Sequence, residues 1–378
     1  IGTQDEGKTA WENGDQIIVT LISQKYGEQA AALTYDGSSW STEASLSYLE
    51  NETPSVSVFY APCYEVTEEG TMQLRSGMQL GMTEYLSGNY EIENGIMTIT
   101  FEGAIRTYSR LRIATMPEAT LTVTTTDFTP AGATEVATAA YTLTTDDNGN
   151  AFLYGVFAEG ATVSVRQGDI TLKDYTFTAE KNPNGTEHNK SYALDATPVI
   201  DGTLGGKTEA TEDDITALVE QLKEYVDNGI TTIIVPGSEP AMIDVGSLTI
   251  TAIGEAIYRL SKEESYNGKI DLVLPDVTEI VDQEFYGARA LNSINLPKVT
   301  TVGDGAFYDC QYLEELTFGS VVTAINHKLR AEFYKVGEKV EGCDLVLNRE
   351  QVNAEADYQP NIETRTWWNT EWKSITLK

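Results

Sequence analysis

The sequence predicts a multidomain, β-rich chain in which two all-β sandwiches precede a short solenoid with an N-terminal capping helix. Three observations predict this class. Short β-branched and aromatic runs fill the first 200 residues, one helical pattern follows a Gly-rich segment, and residues 270–325 repeat with a period of 22. A length of 378 residues suits two or three domains. We place them at 1–117, 118–200, 201–229 (linker and capping helix) and 230–378.

The two sandwiches are predicted from strand and turn signals. Runs such as Gln16–Leu21, Ser55–Tyr60 and Met97–Phe101 are bounded by Gly, Asn, Asp and Pro, as strands are. A new set of strands begins at Thr120, so we expect a domain boundary at Met116-Pro117. The pairs that suit hairpin turns with positive φ are Asn13-Gly14, Asp36-Gly37, Asn94-Gly95 and Asn148-Gly149.

One amphipathic helix is predicted after the Gly-rich linker 201–206. Thr211 and Asp214 form a capping box, and Asn228-Gly229 gives a stop signal. The apolar residues between them have helical spacing: Ile215, Leu218, Val219, Leu222 and Val226. We interpret this helix as a cap over a sheet edge, and a partner-binding helix is the alternative.

The repeat is the strongest signal in the sequence. Leu272-x-Leu274-Pro275-x-Val277-x-x-Ile280 returns as Ile294-x-Leu296-Pro297-x-Val299-x-x-Val302, and a third copy begins at Leu316. With the Gly303-x-x-Ala306-Phe307 and Asp309-Cys310-x-x-Leu313 steps, this pattern resembles the BspA-type leucine-rich repeat. The resemblance covers roughly 230–378 and implies a short curved stack of parallel strands.

Weaker copies are expected on both sides of the clear repeats. Ile233-x-Val235-Pro236 imitates the repeat strand, and Ile253-Gly254-x-x-x-Tyr258 imitates the segment from Val302 to Phe307. Residues 343–348 and 373–377 are predicted as the last two strands.

Strand alternation predicts an outward sheet face that could bind a ligand. If the Leu and Ile residues of each strand point inward, their neighbours point out. Solenoids commonly bind partners on such a face, although a merely solvated face is the alternative. Val346 belongs to the same predicted row, and the candidate ligand-binding residues are Asp271, Val273, Ser293, Asn295, Glu315, Thr317 and Asp344.

The N-terminal half carries a second resemblance. Trp11-x-x-Gly14-Asp15-x-Ile17-x-Val19, Leu33-x-Tyr35-x-Gly37-x-x-Trp40 and Val56-x-Val58-Phe59-Tyr60-x-Pro62 occur in this order. The set resembles the fimbrillin-like (Mfa-like) family of Bacteroides-type bacteria. The resemblance implies two transthyretin-like sandwiches, export by a lipoprotein leader to the outer-membrane surface, and a role in attachment.

The chain departs from the polymerising members of that family. In those members protease maturation at an arginine frees the groove for strand exchange, but the first arginine here is Arg75, too deep for such trimming. The helix and the repeat stand where a donor segment is expected. A tethered adhesin or the end piece of an assembly therefore fits better than a shaft subunit.

The amino-acid composition disfavours some classes of binding partner. Acidic residues outnumber basic ones 58 to 25, giving a formal net charge of −33, so nucleic acid and anionic membrane surfaces are poor partners. No apolar run approaches the roughly 18 residues that span a bilayer. Ile1 is preceded by neither an initiator methionine nor a signal segment, so we expect a trimmed chain or a removed leader.

Motifs for catalysis, cofactors or metals are not recognisable. The two histidines, His188 and His327, lie in a predicted loop and beyond the regular repeats, away from any zinc or nucleophile motif. We expect Cys63 and Cys310 to pack in cores, and spacing does not decide whether Cys310 meets Cys343. No cofactor is expected. A carbohydrate-active enzyme would be supported only by a deep acidic cleft with one carboxylate of raised pKa.

Two further segments admit two interpretations each. Residues 146–150 offer oxygen ligands for calcium, but the Asn-Gly between two strands favours a hairpin turn. Trp367, Trp368 and Trp372 could contact a carbohydrate or protein, whereas sealing the end of the solenoid is the favoured interpretation.

These features predict a non-enzymatic surface protein that binds a host protein, a matrix component, a glycan or another cell. The alternative is a tip or anchor subunit of a fimbria-like assembly, whose partners would be other fimbrial subunits joined by strand exchange.

Overall fold

The computed structural model describes residues 2–5, 7–101, 106–326 and 332–378. The chain divides into two units, Ile1–Thr197 and Pro198–Lys378. The described residues are mostly β, with several sheets and two α-helices, which confirms the predicted multidomain β-rich class. Neither helix in this described part has the length and apolar character that crossing a membrane requires.

The first unit contains sixteen strands among its described residues. In chain order they are β1 (Thr3–Gln4), β2 (Gln16–Ser23), β3 (Gly27–Tyr35), β4 (Trp40–Ser41), β5 (Ser55–Tyr60), β6 (Tyr64–Val66), β7 (Met72–Leu74), β8 (Leu86–Glu93), β9 (Ile96–Thr100), β10 (Ser109–Ala114), β11 (Thr120–Pro130), β12 (Ala137–Thr144), β13 (Asn150–Phe157), β14 (Thr162–Gln167), β15 (Ile170–Thr176) and β16 (Lys190–Asp195).

An antiparallel sheet of six strands comes first, in the order β4-β3-β2-β5-β8-β9. Asn94-Gly95 forms its tight turn between β8 and β9, with φ of 52° and 77°. Positive φ at both residues is what a two-residue hairpin turn requires, and Asn-Gly adopts it at low cost. The turn predicted at these residues is confirmed.

The second sheet of this unit follows the order β1-β16-β10-β13-β11-β14-β15, with β12 on the other side of β11. The long strand β11 bends where its register shifts between Thr125 and Phe128, so its first half pairs with β12 and β14 and its end pairs with β13. Strand β10 pairs with β13 and β16. The domain boundary predicted at residue 117 stays a prediction. Strand β10 precedes this boundary but belongs to the second sheet.

A buried ion-pair network joins Asp5, near the N-terminus, to Glu84 in the same unit through Arg106. The fully buried guanidinium of Arg106 contacts Asp5 at 2.9 Å and also pairs with Glu84. Tyr108 donates a hydrogen bond to the same Glu84 at 2.6 Å. A buried charge needs such partners, because removing it from water is costly.

The second unit begins with helix α1 (Glu212–Asp227), and helix α2 (Ala252–Leu260) packs against it. Its strands, in chain order, are β17 (Thr232–Ile234), β18 (Met242–Val245), β19 (Leu248–Thr251), β20 (Ile270–Val273), β21 (Glu279–Ile280), β22 (Leu291–Leu296), β23 (Thr301–Val302), β24 (Glu315–Phe318), β25 (Ala324–Ile325), β26 (Asp344–Leu347), β27 (Thr366–Trp367), β28 (Thr370–Glu371) and β29 (Ser374–Leu377).

Six of these strands form a parallel sheet in the order β17-β20-β22-β24-β26-β29. The register is the one that the repeat predicts, with Leu272 opposite Ile294 and Ile294 opposite Leu316. The flanking strands predicted at Ile233, at 343–348 and at 373–377 are confirmed as β17, β26 and β29. A smaller parallel sheet, β21-β23-β25, runs beside it.

The inward residues of the repeats are buried, and a row of phenylalanine rings crosses them. Phe307 stacks between Phe285 and Phe333, with ring centroids 5.8 Å apart on each side. The row ends on Trp367 and Trp372, whose centroids lie 5.7 and 5.3 Å from that of Phe333. Each repeat therefore buries its apolar side chains only against its neighbours.

Both helices have side-chain caps. Thr211 and Asp214 form the predicted capping box of α1, which buries Ile215, Leu218 and Leu222. The interpretation of residues 253–258 as a degenerate repeat is wrong, because they form α2 with Thr251 as its N-cap. Apolar residues four apart suit a helix as well as they suit the repeat pattern, so spacing alone did not separate the two.

Candidate functional site

The parallel sheet places the predicted ligand-binding residues in two rows. Asp271, Ser293, Glu315 and Asp344 are register neighbours in the first row. Val273, Asn295 and Thr317 form the second row in the same way. All seven are half-buried or exposed, while the residues between them along each strand are buried. Whether they bind a ligand stays a prediction.

Val346 departs from the predicted outward row, since only 5% of it is exposed. Val346 follows Thr317 in the second row, so the second row is buried where it reaches β26. Thr376, the next residue of this row on β29, is exposed, so the cover is local to Val346.

Hydrogen bonds between neighbours fix the polar row. Ser293 donates to Oδ1 of Asp271 at 2.7 Å, and Ser374 donates to Oδ1 of Asp344 at 2.6 Å. Glu315 lies between them and accepts a bond from Thr317 at 3.0 Å. Glu315 and Asp344 are directly opposite, and Nζ of Lys373 lies 3.3 Å from Oδ2 of Asp344 and offsets the second charge. The row can accept hydrogen bonds and attract positive charge.

A cleft that the sequence did not predict lies where helix α2 and the hairpin β18–β19 meet the first repeat. Its volume is about 360 Å³, and its walls include Ile250, Tyr258 and Tyr286 with the carboxylates of Glu255 and Glu284. Glu255 is bonded to Nε of Arg259 at 2.6 Å. The cleft is therefore partly apolar, with two acidic groups.

Glu284 is the most perturbed carboxylate of this cleft. It is 3% exposed, and burial raises its pKa to about 7 despite the hydrogen bonds that it accepts from Thr251. Gly254 makes room for it, because a Cβ there would lie 2.6 Å from Oε1 of Glu284. The next repeat has Ala306 at the matching position. Glu332, which precedes Phe333 as Glu284 precedes Phe285, is the buried acidic residue of the following copy.

The tryptophan cluster divides between two environments. Trp367 and Trp372 are buried against the phenylalanine row, as the sealing interpretation predicts. Trp368 is half-buried, stacks on Tyr358 and lines a polar cleft of about 560 Å³. The adjacent residues Trp367 and Trp368 thus have different surroundings, which their spacing in the sequence did not indicate.

The cysteines are free and buried, which suits packing. Cys310 donates to the backbone oxygen of Phe285 at 3.0 Å, and burial raises its pKa to about 12. Burial raises the pKa of Cys343 as well, with further contributions from Asp344 and from Cys310. Gly337 donates its backbone N–H to the backbone oxygen of Cys310 at 3.1 Å and packs against the backbone of Cys343, so the two unbonded cysteines lie near each other.

The 146–150 segment forms a tight turn that uses its own oxygen atoms. Oδ1 of Asp146 accepts from the backbone N–H of Asn148 and of Asn150, each at 2.9 Å. The predicted hairpin is wrong, since β12 pairs with β11 and β13 pairs with β10 and β11. Strand β12 instead returns along β11, the strand before it, and β13 pairs with the more distant β10. Within 2–5, 7–101, 106–326 and 332–378, no group of three or more His, Cys, Asp or Glu could hold a metal ion.

Of the two histidines, one lies among the described residues. His188 is exposed in the loop between β15 and β16. His327 lies outside the described residues.

Comparison with known proteins identifies one region. The family model of the BspA type leucine rich repeat region (6 copies) matches residues 268–336, so the chain contains such a region. No curated protein and no solved structure matches the chain in these comparisons. The likeness of the N-terminal half to fimbrillins has no family match and stays a prediction.

Proposed function

We propose that this chain is a non-enzymatic binding protein of the cell surface. In this proposal the leucine-rich repeat region forms a short solenoid, displayed on two fimbrillin-like sandwiches, and its parallel sheet contacts a host protein, a matrix component, a glycan or a neighbouring cell. The observation that carries the proposal is the pair of in-register outward rows on a sheet whose opposite face is buried along β20, β22 and β24.

The chemistry of the rows supports contact with a neutral or basic partner. Asp271, Glu315 and Asp344 supply three carboxylates, and the whole chain carries a formal charge of −33. An acidic field attracts basic surfaces and repels nucleic acid. The rows are held by the stacked repeats, so little ordering is needed when a partner binds.

The test is a binding screen of the full chain against matrix proteins, glycans and cells, followed by sheet-face variants. Asn295→Arg with Glu315→Arg places bulk and reversed charge at the centre of the face. We expect at least about a tenfold loss of affinity for any captured partner. Glu279→Gln, on the exposed part of β21, is the matched control. A partner that binds both variants equally would contradict the role of the sheet.

A structural subunit joined by strand exchange is the second candidate. It is favoured by β9, the last strand in the order of the six-stranded sheet, where Ile96 is 70% exposed. An uncovered edge strand with apolar residues can accept a strand from another chain. Electron microscopy over a range of protein concentrations tests this: polymers favour assembly, and a monomer at every concentration contradicts it.

An enzyme is the third candidate, supported by the cleft of Glu255 and Glu284. Binding is the better proposal because each carboxylate is already engaged, Glu255 by Arg259 and Glu284 by Thr251. A general acid must reach the leaving-group oxygen directly or through one water. Hydrolysis of a panel of polysaccharides by the full chain, lost in Glu284→Gln, would support the enzyme instead.

Export and lipid tethering at the outer membrane belong to the same proposal. Support comes from the fimbrillin resemblance and from the repeat type. The encoded segment upstream of Ile1 is the direct test, since a lipobox cysteine there would support the lipid anchor. Fractionation that leaves the full-length protein in the cytoplasm would contradict it.

A further inference from the structure

The hairpin of β27 and β28 turns through two residues in the left-handed region of the backbone. Trp368 has a φ of 48° and Asn369 a φ of 55°, and Trp367 pairs with Thr370 across the turn. Two-residue turns with positive φ at both positions favour Asn-Gly, Asp-Gly or Gly-Gly. A bulky aromatic side chain in this conformation is an outlier.

Elsewhere the chain makes a two-residue turn of this kind from residue types that favour positive φ. Asn94-Gly95 makes the turn between β8 and β9 with both φ values positive. Trp368 is therefore not required by the turn. A residue that breaks a local rule in this way points to a role beyond the fold.

Contacts on the Trp368 ring fix its orientation. The ring lies parallel to that of Tyr358, with 5.3 Å between centroids and 4° between planes. Its Nε1 donates a hydrogen bond to Oε2 of Glu332 at 3.0 Å. Because both contacts come from other segments of the unit, the indole is presented in one position rather than as a mobile side chain.

Planar polar side chains surround this indole. The cleft of about 560 Å³ that Trp368 lines is also formed by Asp357, Gln359, Asn361 and Asn369. All four are exposed. Carboxylate and amide groups can each bond two neighbouring hydroxyls, and an aromatic ring packs on the apolar C–H face of a sugar.

We propose that this cleft binds a neutral glycan, with one hexose packed on Trp368 and its hydroxyl groups bonded by Asp357, Gln359, Asn361 and Asn369. A β-linked hexose with a flat C–H face suits a planar ring. Asp357 and the charge of −33 disfavour sialylated or sulfated sugars. Neutral glycans are thus distinguished from anionic ones by charge.

This inference deepens the proposed function, because a glycan is one of the ligand classes proposed for the surface protein. The two remain separable. The cleft is formed by residues 357–369, whereas the sheet-face proposal rests on β20, β22 and β24. Cleft variants that lose sugar binding should keep binding at the sheet face. Sheet-face variants should likewise keep sugar binding.

The test uses saturation-transfer NMR on the full chain with lactose, cellobiose and 3′-sialyllactose, beside an array of neutral glycans. We expect transfer to hexose protons of a neutral ligand and about tenfold weaker binding of its sialylated form. Trp368→Asn replaces the indole with a residue that suits the turn, so we expect at least a tenfold loss of binding with little change in melting temperature. Glu371→Gln, on the same hairpin but outside the cleft, should bind normally.

Asn369→Gly is a second variant, and glycine at this position favours the turn. It keeps the indole and removes one amide, so we expect several-fold weaker binding. The proposal is overturned if no neutral glycan of the array binds, if sialyllactose binds more tightly than lactose, or if Trp368→Asn binds as the unmodified chain does. A fall of more than about 4 °C in the melting temperature of Trp368→Asn, with full binding by Asn369→Gly, would assign the indole to stability instead.

Discussion

Glu284 accepts hydrogen bonds from both the backbone N–H and the hydroxyl of Thr251, so a carboxyl group of the first repeat meets the N-terminus of helix α2. The backbone bond measures 3.2 Å. A negative group is favoured at a helix N-terminus, whereas burial disfavours the charged form. Burial prevails here, because the pKa of Glu284 is raised to about 7.

The first prediction is a pH dependence of stability that Glu284 causes. Its folded pKa of about 7 lies above its ordinary value of 4.5, so the folded chain keeps a proton that the unfolded chain loses. The stabilising contribution is complete below pH 4.5 and is lost as pH rises through 7. The loss amounts to about 3 kcal/mol. Denaturant midpoints measured from pH 4.5 to 8 should fall less steeply in Glu284→Gln than in the unmodified chain. Equal slopes would contradict the assignment.

The second prediction concerns the phenylalanine row. Phe307→Ala removes a fully buried ring that stacks on both neighbours, and we expect a loss of about 4 kcal/mol in unfolding free energy. Phe307→Leu keeps most of the volume and should cost less than half as much. Denaturation monitored by circular dichroism measures both. Similar losses in the two variants would show that ring stacking matters more than filled volume.

The third prediction concerns the buried guanidinium of the first unit. Arg106→Met leaves Asp5 and Glu84 without the cation that they share, so we expect a loss of about 4 kcal/mol at pH 7. Lowering the pH to protonate the carboxylates should recover part of that loss. Arg110→Met is the control, since Arg110 is 32% exposed and contacts only Asp5 of the two carboxylates. Equal losses would refute a special role for Arg106.

The fourth prediction concerns thiol reactivity. Burial raises the pKa values of Cys63, Cys310 and Cys343, which suppresses the reactive thiolate. We expect 5,5′-dithiobis(2-nitrobenzoic acid) to leave all three unmodified in the native chain at pH 8 and to modify all three in denaturant. Rapid modification of the native chain would show that one of these cores opens readily.

The strand register of the repeat region was predictable because the same apolar pattern recurs in each copy. The alternation of Leu272, Leu274, Ile294 and Leu296 fixes which side chains are buried, and stacking at equal spacing then fixes their neighbours. The same alternation placed the two outward rows correctly except at Val346, whose burial depends on residues elsewhere in the chain.

The clefts and the pairing of the antiparallel strands could not be predicted in the same way. Trp368 and Tyr358 stack although ten residues separate them, with a hairpin turn between. Burial raises the pKa of Glu284, and its hydrogen-bond partner Thr251 lies 33 residues away in the chain. The register shift of β11 between Thr125 and Phe128, which lets β12 and β13 pair with different parts of that strand, was likewise not predicted.

The equal spacing of the repeats has a consequence for how such chains evolve. Bonds such as that from the backbone N–H of Asp304 to Asp282 join equivalent positions 22 residues apart. Deleting or duplicating one such stretch reconnects equivalent atoms and preserves every neighbouring contact. The two ends differ from the interior, with α2 and Glu284 at one and Trp367 and Trp372 at the other. Gene duplication could therefore lengthen the binding sheet in whole repeats while both ends stay unchanged.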